Sequence, residues 1–113
     1  MTDRERKYLS DILYSIGHIQ SFTEGINSFK DYRKNFLVKG AVERHLAIIG
    51  EATNKFIKET THTSLKHASA IISLRNRLIH AYDNVDDRII WTIIKKHLSP
   101  LKAEVTELLN KSD

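Results

Sequence analysis

Residues 36–60 read FLVKGAVERHLAIIGEATNKFIKET, the longest helical pattern in the chain. The apolar side chains in this stretch recur at steps of three and four residues: Val38, Ala41, Val42, Leu46, Ile49, Ala52, Phe56 and Ile57. On a helix, that spacing forms one broad apolar stripe, which other elements must cover to keep it from water. The stretch therefore predicts a long helix from about Phe36 to Thr60 inside a packed helical domain.

The residues before this stretch carry a second pattern of the same period. From about Asp3 to Thr23, the apolar positions are Leu9, Ile12, Leu13, Ile16 and Ile19. Gly25 and Asn27 are expected to end this first helix. Ser28 is then expected to cap a short turn that leads into the long helix.

Three more helices are predicted after the long one, at about Leu65 to Tyr82, Asp86 to Leu98 and Leu101 to Asn110. The polar run 60–64 precedes the first of them, with Ser64 as its expected N-cap. Asp83 or Asn84 is expected to cap the next helix. Ser99 followed by Pro100 is typical of a helix start and predicts a break there. Short connections between long helices favour an antiparallel bundle of about five helices, which makes the expected fold class all-α.

The length of the chain fits one domain, and its composition excludes some kinds of site. The 113 residues are expected to form a single domain over 1–113, and the absence of cysteine excludes disulfides and thiolate metal sites. The formal net charge of +4 is compatible with a phosphate-bearing partner, although many other proteins share it. No stretch has the roughly 18 unbroken apolar residues of a membrane span, and no secretory signal precedes the first helix. A cytoplasmic protein without membrane contact is expected.

Residues 74–82 read LRNRLIHAY and place an arginine where the helix should be apolar. On a helical wheel, Arg75 falls in the middle of the stripe formed by Leu65, Ala68, Ile71, Ile72, Ile79 and Tyr82. A buried guanidinium without a partner is very costly. Arg75 is therefore expected to pair with an acid, line a polar cleft or bind an anion.

His80 lies on a different face of the same predicted helix. Asn76 and His80 are four residues apart and share a neighbouring face, whereas Arg75 and His80 are five apart, about 140° around an ideal helix. One straight helix would not aim both side chains at one atom. Either the helix is distorted near His80, or a second copy of the chain completes the site.

These residue types suit cleavage of a phosphodiester bond. Histidine has a pKa of about 6.5 and can take or give a proton at neutral pH, and arginine offers phosphate a permanent charge in a planar fork. RNA supplies its own nucleophile, the 2′-hydroxyl, so no metal ion is needed. Asn76 is expected to orient the imidazole or donate to the phosphate. From the residues alone, a core histidine with a structural arginine stays open as the alternative.

The segment Arg75-Asn76-(three residues)-His80-Ala81-Tyr82 resembles the R-x4-H-x-Y signature of HepT toxins, members of the HEPN superfamily. Residues 41–52, AVERHLAIIGEA, are similar to the family's second-helix segment, and residues 85–94 to the segment after its motif. Together these segments cover most of the chain in the right order. R-x4-H alone is a weak signal, whereas the extended set is fairly specific.

The resemblance implies a bundle that dimerises, so that the motif helices of two protomers form one RNA-cleaving cleft. It implies that Arg75 and His80 are catalytic and that Asn76 supports them. The implied partner is a small nucleotidyltransferase antitoxin, which can silence the toxin by transferring AMP to the motif tyrosine, here Tyr82. No cofactor and no metal ion are expected.

Two other functions fit the same residues. One is a non-catalytic helical module that docks a nucleotidyltransferase partner or binds a nucleotide. The other is a purely structural helical dimer. The intact set Arg75, Asn76, His80 and Tyr82 favours the ribonuclease.

Several residues outside the motif are candidates for supporting roles. Arg44 and Glu51 lie two turns apart on one face and are expected to hold the catalytic helix or the dimer seam, or to form a plain ion pair. Gly50 is expected to allow close helix packing, since glycine inside a helix costs about 1 kcal/mol relative to alanine. His62 and His67 have poor spacing for a metal site.

One tryptophan and three further histidines are expected to have structural roles. Trp91 is expected in the core or at a dimer interface, rather than as a base-stacking platform. His18, His45 and His97 are expected at the surface or at the boundary of the core.

Overall fold

The computed structural model describes residues 1–60, 64–80 and 86–111, with the backbone alone at 77–80. Over these residues all the regular structure is helical, which confirms the all-α prediction. The helices are α1 (Asp3–Thr23), α2 (Phe29–Lys34), α3 (Phe36–Glu59), α4 (Ser69–His80), α5 (Asp87–Thr92) and α6 (Leu98–Lys111), and a π-helical turn (Ile93–His97) joins the last two. None of the described helices is long and apolar enough to cross a membrane.

Two long helices, α1 and α3, form the antiparallel frame of the bundle. Arg4 near the start of α1 pairs with Glu59 at the end of α3 at 3.2 Å, whereas Ser15 meets His45 nearer the start of α3 at 3.0 Å. Both predicted apolar stripes pack into the core, where the fully buried members include Leu9, Ile12, Ile16, Ile19, Val42, Leu46, Ile49 and Phe56. Ile57 was expected in the stripe but is 40% exposed.

Local capping sets most of the helix starts. Side-chain oxygens of Thr2, Ser28, Asn35 and Asp86 accept backbone N–H groups in the first turns of α1, α2, α3 and α5. The cap predicted at Ser28 is therefore confirmed, although a short helix follows it. The cap expected at Asp83 or Asn84 is wrong, because Asp86 fills that role. Asp83 and Asn84 lie outside the described residues.

The start of α4 differs from the prediction. A helix from Leu65 capped by Ser64 was expected, but α4 begins at Ser69. The backbone N–H groups of Lys66 and His67 donate instead to the Glu104 carboxylate on α6, at 2.7 and 3.1 Å. A tertiary contact thus holds the preceding residues as a turn, and the helix starts later.

The predicted break at Ser99 and Pro100 is also wrong, because the helix continues through both residues. Pro100 has no N–H, and its ring crowds the carbonyl four residues earlier, at Lys96. A π-helical turn lies at that point, over Ile93–His97, where a wider turn accommodates the missing hydrogen bond. The continuous helix buries Leu98 and Leu101 in the core.

Trp91 packs where the sequence indicated. It is half-buried against the core and stacks on Tyr32, with the ring centroids 5.5 Å apart. Tyr32 is fully buried, and its hydroxyl has no hydrogen-bond partner among the described residues. Burial, with the nearby carboxylates of Glu43 and Asp87, raises the pKa of Tyr32. This pair joins α2 to α5.

Candidate active site

The motif helix α4 crosses α3 at Gly50. A Cβ atom added at Gly50 would collide with Cβ of Arg75, and it would lie 2.8 Å from Cγ of Arg75 and 3.4 Å from the carbonyl oxygen of Ile71. Only a residue without a side chain allows this approach. The prediction that Gly50 serves close helix packing is confirmed, and the residue it packs against is the candidate catalytic arginine.

The guanidinium of Arg75 is held by two side chains. Its Nη2 pairs with Oε2 of Glu51 on α3, and its Nη1 donates to Oδ1 of Asn76 at 3.3 Å. The Arg75 side chain is 21% exposed, and its buried Nε has no hydrogen-bond partner among the described residues. Glu51 is thus the partner that the sequence predicted for a guanidinium in an apolar stripe.

Glu51 also faces a second cation. Nζ of Lys55, one turn further along α3, lies 3.7 Å from Oε1 of Glu51. Two basic side chains therefore share one carboxylate, which leaves an excess of positive charge beside Arg75. An anion such as a phosphate would find that excess favourable.

Arg44 lies on the same outer face of α3, exposed to solvent. It forms no ion pair with Glu51, and among the described residues it has no hydrogen-bond partner. Arg44, Glu51 and Lys55 border a groove of about 390 Å³ between α3 and α1, with Tyr8 on the far wall. Arg44 and Glu51 were expected to hold the motif helix or the dimer seam, or to form an ion pair. Glu51 contacts the motif helix α4, through Arg75.

Of the other two motif residues, His80 is described by its backbone alone and Tyr82 is not described. The backbone of His80 ends α4, and Tyr82 lies outside the described residues. The structure thus brings Arg75, Asn76 and Glu51 together, while the roles of His80 and Tyr82 stay predictions. Among the described residues, no three histidine, aspartate or glutamate side chains cluster in a way that could hold a metal ion.

A cluster of rings that the sequence analysis did not single out lies further along the same two helices. Tyr14, His18 and Phe22 follow one another at four-residue steps on α1, and His45 of α3 stacks on His18 with centroids 5.0 Å apart. Nδ1 of His45 is 3.0 Å from Oγ of Ser15. The four-residue spacing on α1 was the available signal. His18 and His45 do lie at the boundary of the core, as expected.

Burial lowers the pKa of His45, and the neighbouring His18 and Arg44 lower it further. A cationic imidazole at this position would face Arg44 and lose hydration, so the neutral form is favoured. The His45 imidazole of the stacked pair therefore favours its uncharged form.

The comparisons with known proteins agree on one family. The model of the HepT-like ribonucleases matches residues 12–108. A protein of Caldanaerobacter subterraneus, named as a presumed RNase, is 37% identical over 94% of this chain and 95% of its own length. A protein of Thermococcus cleftensis named "Probable ribonuclease HepT" is 33% identical over 96% of this chain and 98% of its own. No solved structure matches the chain.

Proposed function

Since the chain belongs to the HepT-like ribonuclease family, we propose that it cleaves RNA without a metal ion, at a site built around Arg75 and His80. The observation that carries the proposal is the setting of Arg75. A charged side chain occupies the apolar stripe of α4, is held by Glu51 and Asn76, and keeps part of its surface open to solvent. Gly50 allows α4 to approach α3 closely at the position of Arg75.

The reaction uses the 2′-hydroxyl of the substrate as the nucleophile. His80 takes the proton of that hydroxyl as the 2′-oxygen attacks phosphorus, and the bond from phosphorus to the 5′-oxygen breaks. Water supplies a proton to the leaving 5′-oxygen, and His80 then returns its own proton to water. The product keeps a 2′,3′-cyclic phosphate. Arg75 stabilises the extra negative charge of the pentacoordinate phosphate, which is where a preorganised cation contributes most.

The site is proposed to form between two copies of the chain. Because Arg75 and His80 are about 140° apart on an ideal helix, an undistorted α4 of one protomer would not aim both at one phosphate. A two-fold dimer that brings two α4 helices together supplies the missing side chain, and family resemblance supports it. A monomer at micromolar concentration in light scattering would contradict this arrangement.

The partner is proposed to be a nucleotidyltransferase antitoxin that transfers AMP from ATP to the Tyr82 hydroxyl and releases pyrophosphate. The added phosphate would compete with RNA for Arg75 and would obstruct His80. Co-expression with such a partner should then increase the intact mass by one AMP, and Tyr82→Phe should abolish the increase. A partner that silences Tyr82→Phe as well as the wild type acts by binding alone.

Arginine substitutions test the site itself. Arg75→Ala and Arg75→Lys should both lose most cleavage of a labelled RNA, because lysine lacks the planar fork that binds two phosphate oxygens. Lys30→Ala on α2 removes a positive charge elsewhere and should cut as the wild type does. Cleavage by Arg75→Lys at the wild-type rate would show that any cation at this position suffices, and would refute the proposed contact.

A further inference from the structure

Four rings form a continuous exposed cluster over α1 and α3. Tyr14 meets His18 edge-on at 4.3 Å between centroids, His18 stacks on His45 at 5.0 Å, and Phe22 lies 5.7 Å from both imidazoles. Tyr14 is 67% exposed and Phe22 is 37% exposed. The contacts among the rings fix their orientation while leaving ring surface in water.

The cluster does not belong to the hydrophobic core. The face of α1 that packs inward buries Ile12, Ile16 and Ile19 completely. Tyr14 and Phe22 lie outside that face and remain exposed, although two large apolar rings in water are unfavourable. A ligand with flat faces would cover them.

The charges around the cluster favour an anion. Asp11 is neutralised by Lys7 at 2.5 Å, and Glu51 faces both Lys55 and Arg75. Arg44, the residue before His45, is exposed and has no ion-pair partner among the described residues. The two acids that border the groove, Asp11 and Glu51, are thus paired, and an exposed guanidinium without an ion-pair partner among the described residues lies next to the rings.

The ring cluster lies close to the candidate active site. His45 and Glu51 are six residues apart on α3, about 9 Å along the helix axis. Arg44 borders the groove between α1 and α3 that Glu51 also borders. A single strand of nucleic acid that runs along the outer face of α3 could therefore contact both the rings and Arg75.

We propose that Tyr14, His18, Phe22 and His45 form a stacking surface for unpaired bases of the RNA substrate, with Arg44 binding a neighbouring phosphate. This assignment rests on the proposed ribonuclease function and specifies its substrate as single-stranded RNA. Aromatic and histidine rings stack on bases that are splayed out of a helix, whereas a duplex hides its base faces. Stacking tolerates any base, so the surface positions the strand without reading its sequence.

Binding is measured in the His80→Ala background, where the RNA stays intact. Fluorescence anisotropy with a labelled single strand, and with the same strand annealed to its complement, gives the two dissociation constants. We expect tighter binding of the single strand, and about a 10-fold or larger loss for Tyr14→Ala and for Phe22→Ala. Tyr14→Phe keeps the ring and should bind as the parent does.

Two further variants separate stacking from charge and from general loss of apolar surface. Arg44→Gln should weaken binding and reduce its dependence on salt concentration, because one phosphate contact is lost. Phe36→Ala removes a ring that is 80% exposed at the start of α3, outside the cluster, and should leave binding unchanged. In the active protein, the cluster variants should raise KM and leave kcat nearly unchanged.

Equal binding by Tyr14→Ala and its parent, or equal binding of single strand and duplex, would overturn the assignment. So would a change from dimer to monomer in Tyr14→Ala, since the rings would then be an interface between copies. A wild-type protein that fails to cut RNA refutes the proposed function, whereas the binding assay still tests the surface. Circular dichroism on each variant confirms that the helices remain.

Discussion

Gly50 and Arg75 show how a single missing side chain can set the position of a functional one. Glycine inside a helix is less favourable than alanine by about 1 kcal/mol, because its backbone loses more conformational entropy. Without a side chain at residue 50, α3 and α4 approach so closely that Cβ of Arg75 leaves no room for a Cβ there. That closeness lets the guanidinium of Arg75 meet Glu51 across the helix crossing.

Gly50→Ala should therefore destabilise the protein and displace Arg75. The added methyl group has no flexible neighbour to push aside, so we expect a loss of about 1–3 kcal/mol in the free energy of unfolding and a clear fall in cleavage. Denaturant unfolding and an RNA cleavage assay measure the two effects. Gly40→Ala is the matched control, because no atom of the described residues lies within 4 Å of a Cβ there, and it should be neutral or stabilising. Equal stabilities for the two variants would contradict the close approach.

His45 makes stability depend on pH in a defined direction. Its pKa is lowered from 6.5 in the folded state, so the unfolded chain binds the proton more readily. The stability that the neutral imidazole contributes is thus present above about pH 6.5 and is lost as the pH falls towards the lowered pKa. His45→Gln should flatten the change in melting temperature between pH 7.5 and 5.5. Parallel curves for the variant and the wild type would show that the titration lies elsewhere.

At the scale of the elements, periodicity and local caps could be predicted from the sequence. The bounds of α1 and α3 follow from apolar spacing, and Ser28 caps the helix that it directly precedes. The same reasoning indicated that Arg75 needs a partner. It could not identify Glu51, because the pairing depends on how α3 and α4 cross.

The misplaced helix bounds share one physical cause, which is that distant or unusual contacts outweighed local signals. The start of α4 is set by Glu104, 38 residues beyond Lys66. The junction at Pro100 depends on a π-helical turn that joins α5 to α6. No local cap indicates the contact with Glu104, and Pro100 alone does not distinguish a π-helical turn from a helix break.

Glu104→Ala should loosen the approach to the motif helix. Two backbone N–H groups, at Lys66 and His67, lose their acceptor, which should cost about 1–2 kcal/mol. Hydrogen exchange should accelerate at these two amides. Glu107→Ala, on the same helix, should change little, because among the described residues Glu107 pairs only with the exposed Lys111. Unchanged exchange at Lys66 and His67 would argue against this tether.

At the scale of the whole molecule, α3 links the features with proposed functions. One of its sides packs on α1, its crossing with α4 positions Arg75, and its outer face carries Arg44, Glu51 and Lys55. This arrangement places a groove, the ring cluster and the motif arginine along one helix. His80, at the end of α4, is the part that a second protomer is proposed to bring into reach.

Mixed dimers test whether each site takes Arg75 from one chain and His80 from the other. Arg75→Ala and His80→Ala should each be inactive alone. After co-expression, half of the randomly assembled dimers carry both variants, and each has one intact site of two, so about a quarter of wild-type activity should return. A mixture as inactive as its components would place both residues of a site in one chain.

The most direct test of the central claim is cleavage of a labelled RNA by the purified protein in excess EDTA, with the wild type and His80→Ala compared. The account predicts that wild-type cleavage persists in the chelator and yields cyclic phosphate ends. It also predicts that His80→Ala is slower by about 100- to 10,000-fold, the range that general acid–base catalysis supplies. Cleavage that stops in EDTA and returns with a divalent ion, or that continues unchanged in His80→Ala, would contradict it.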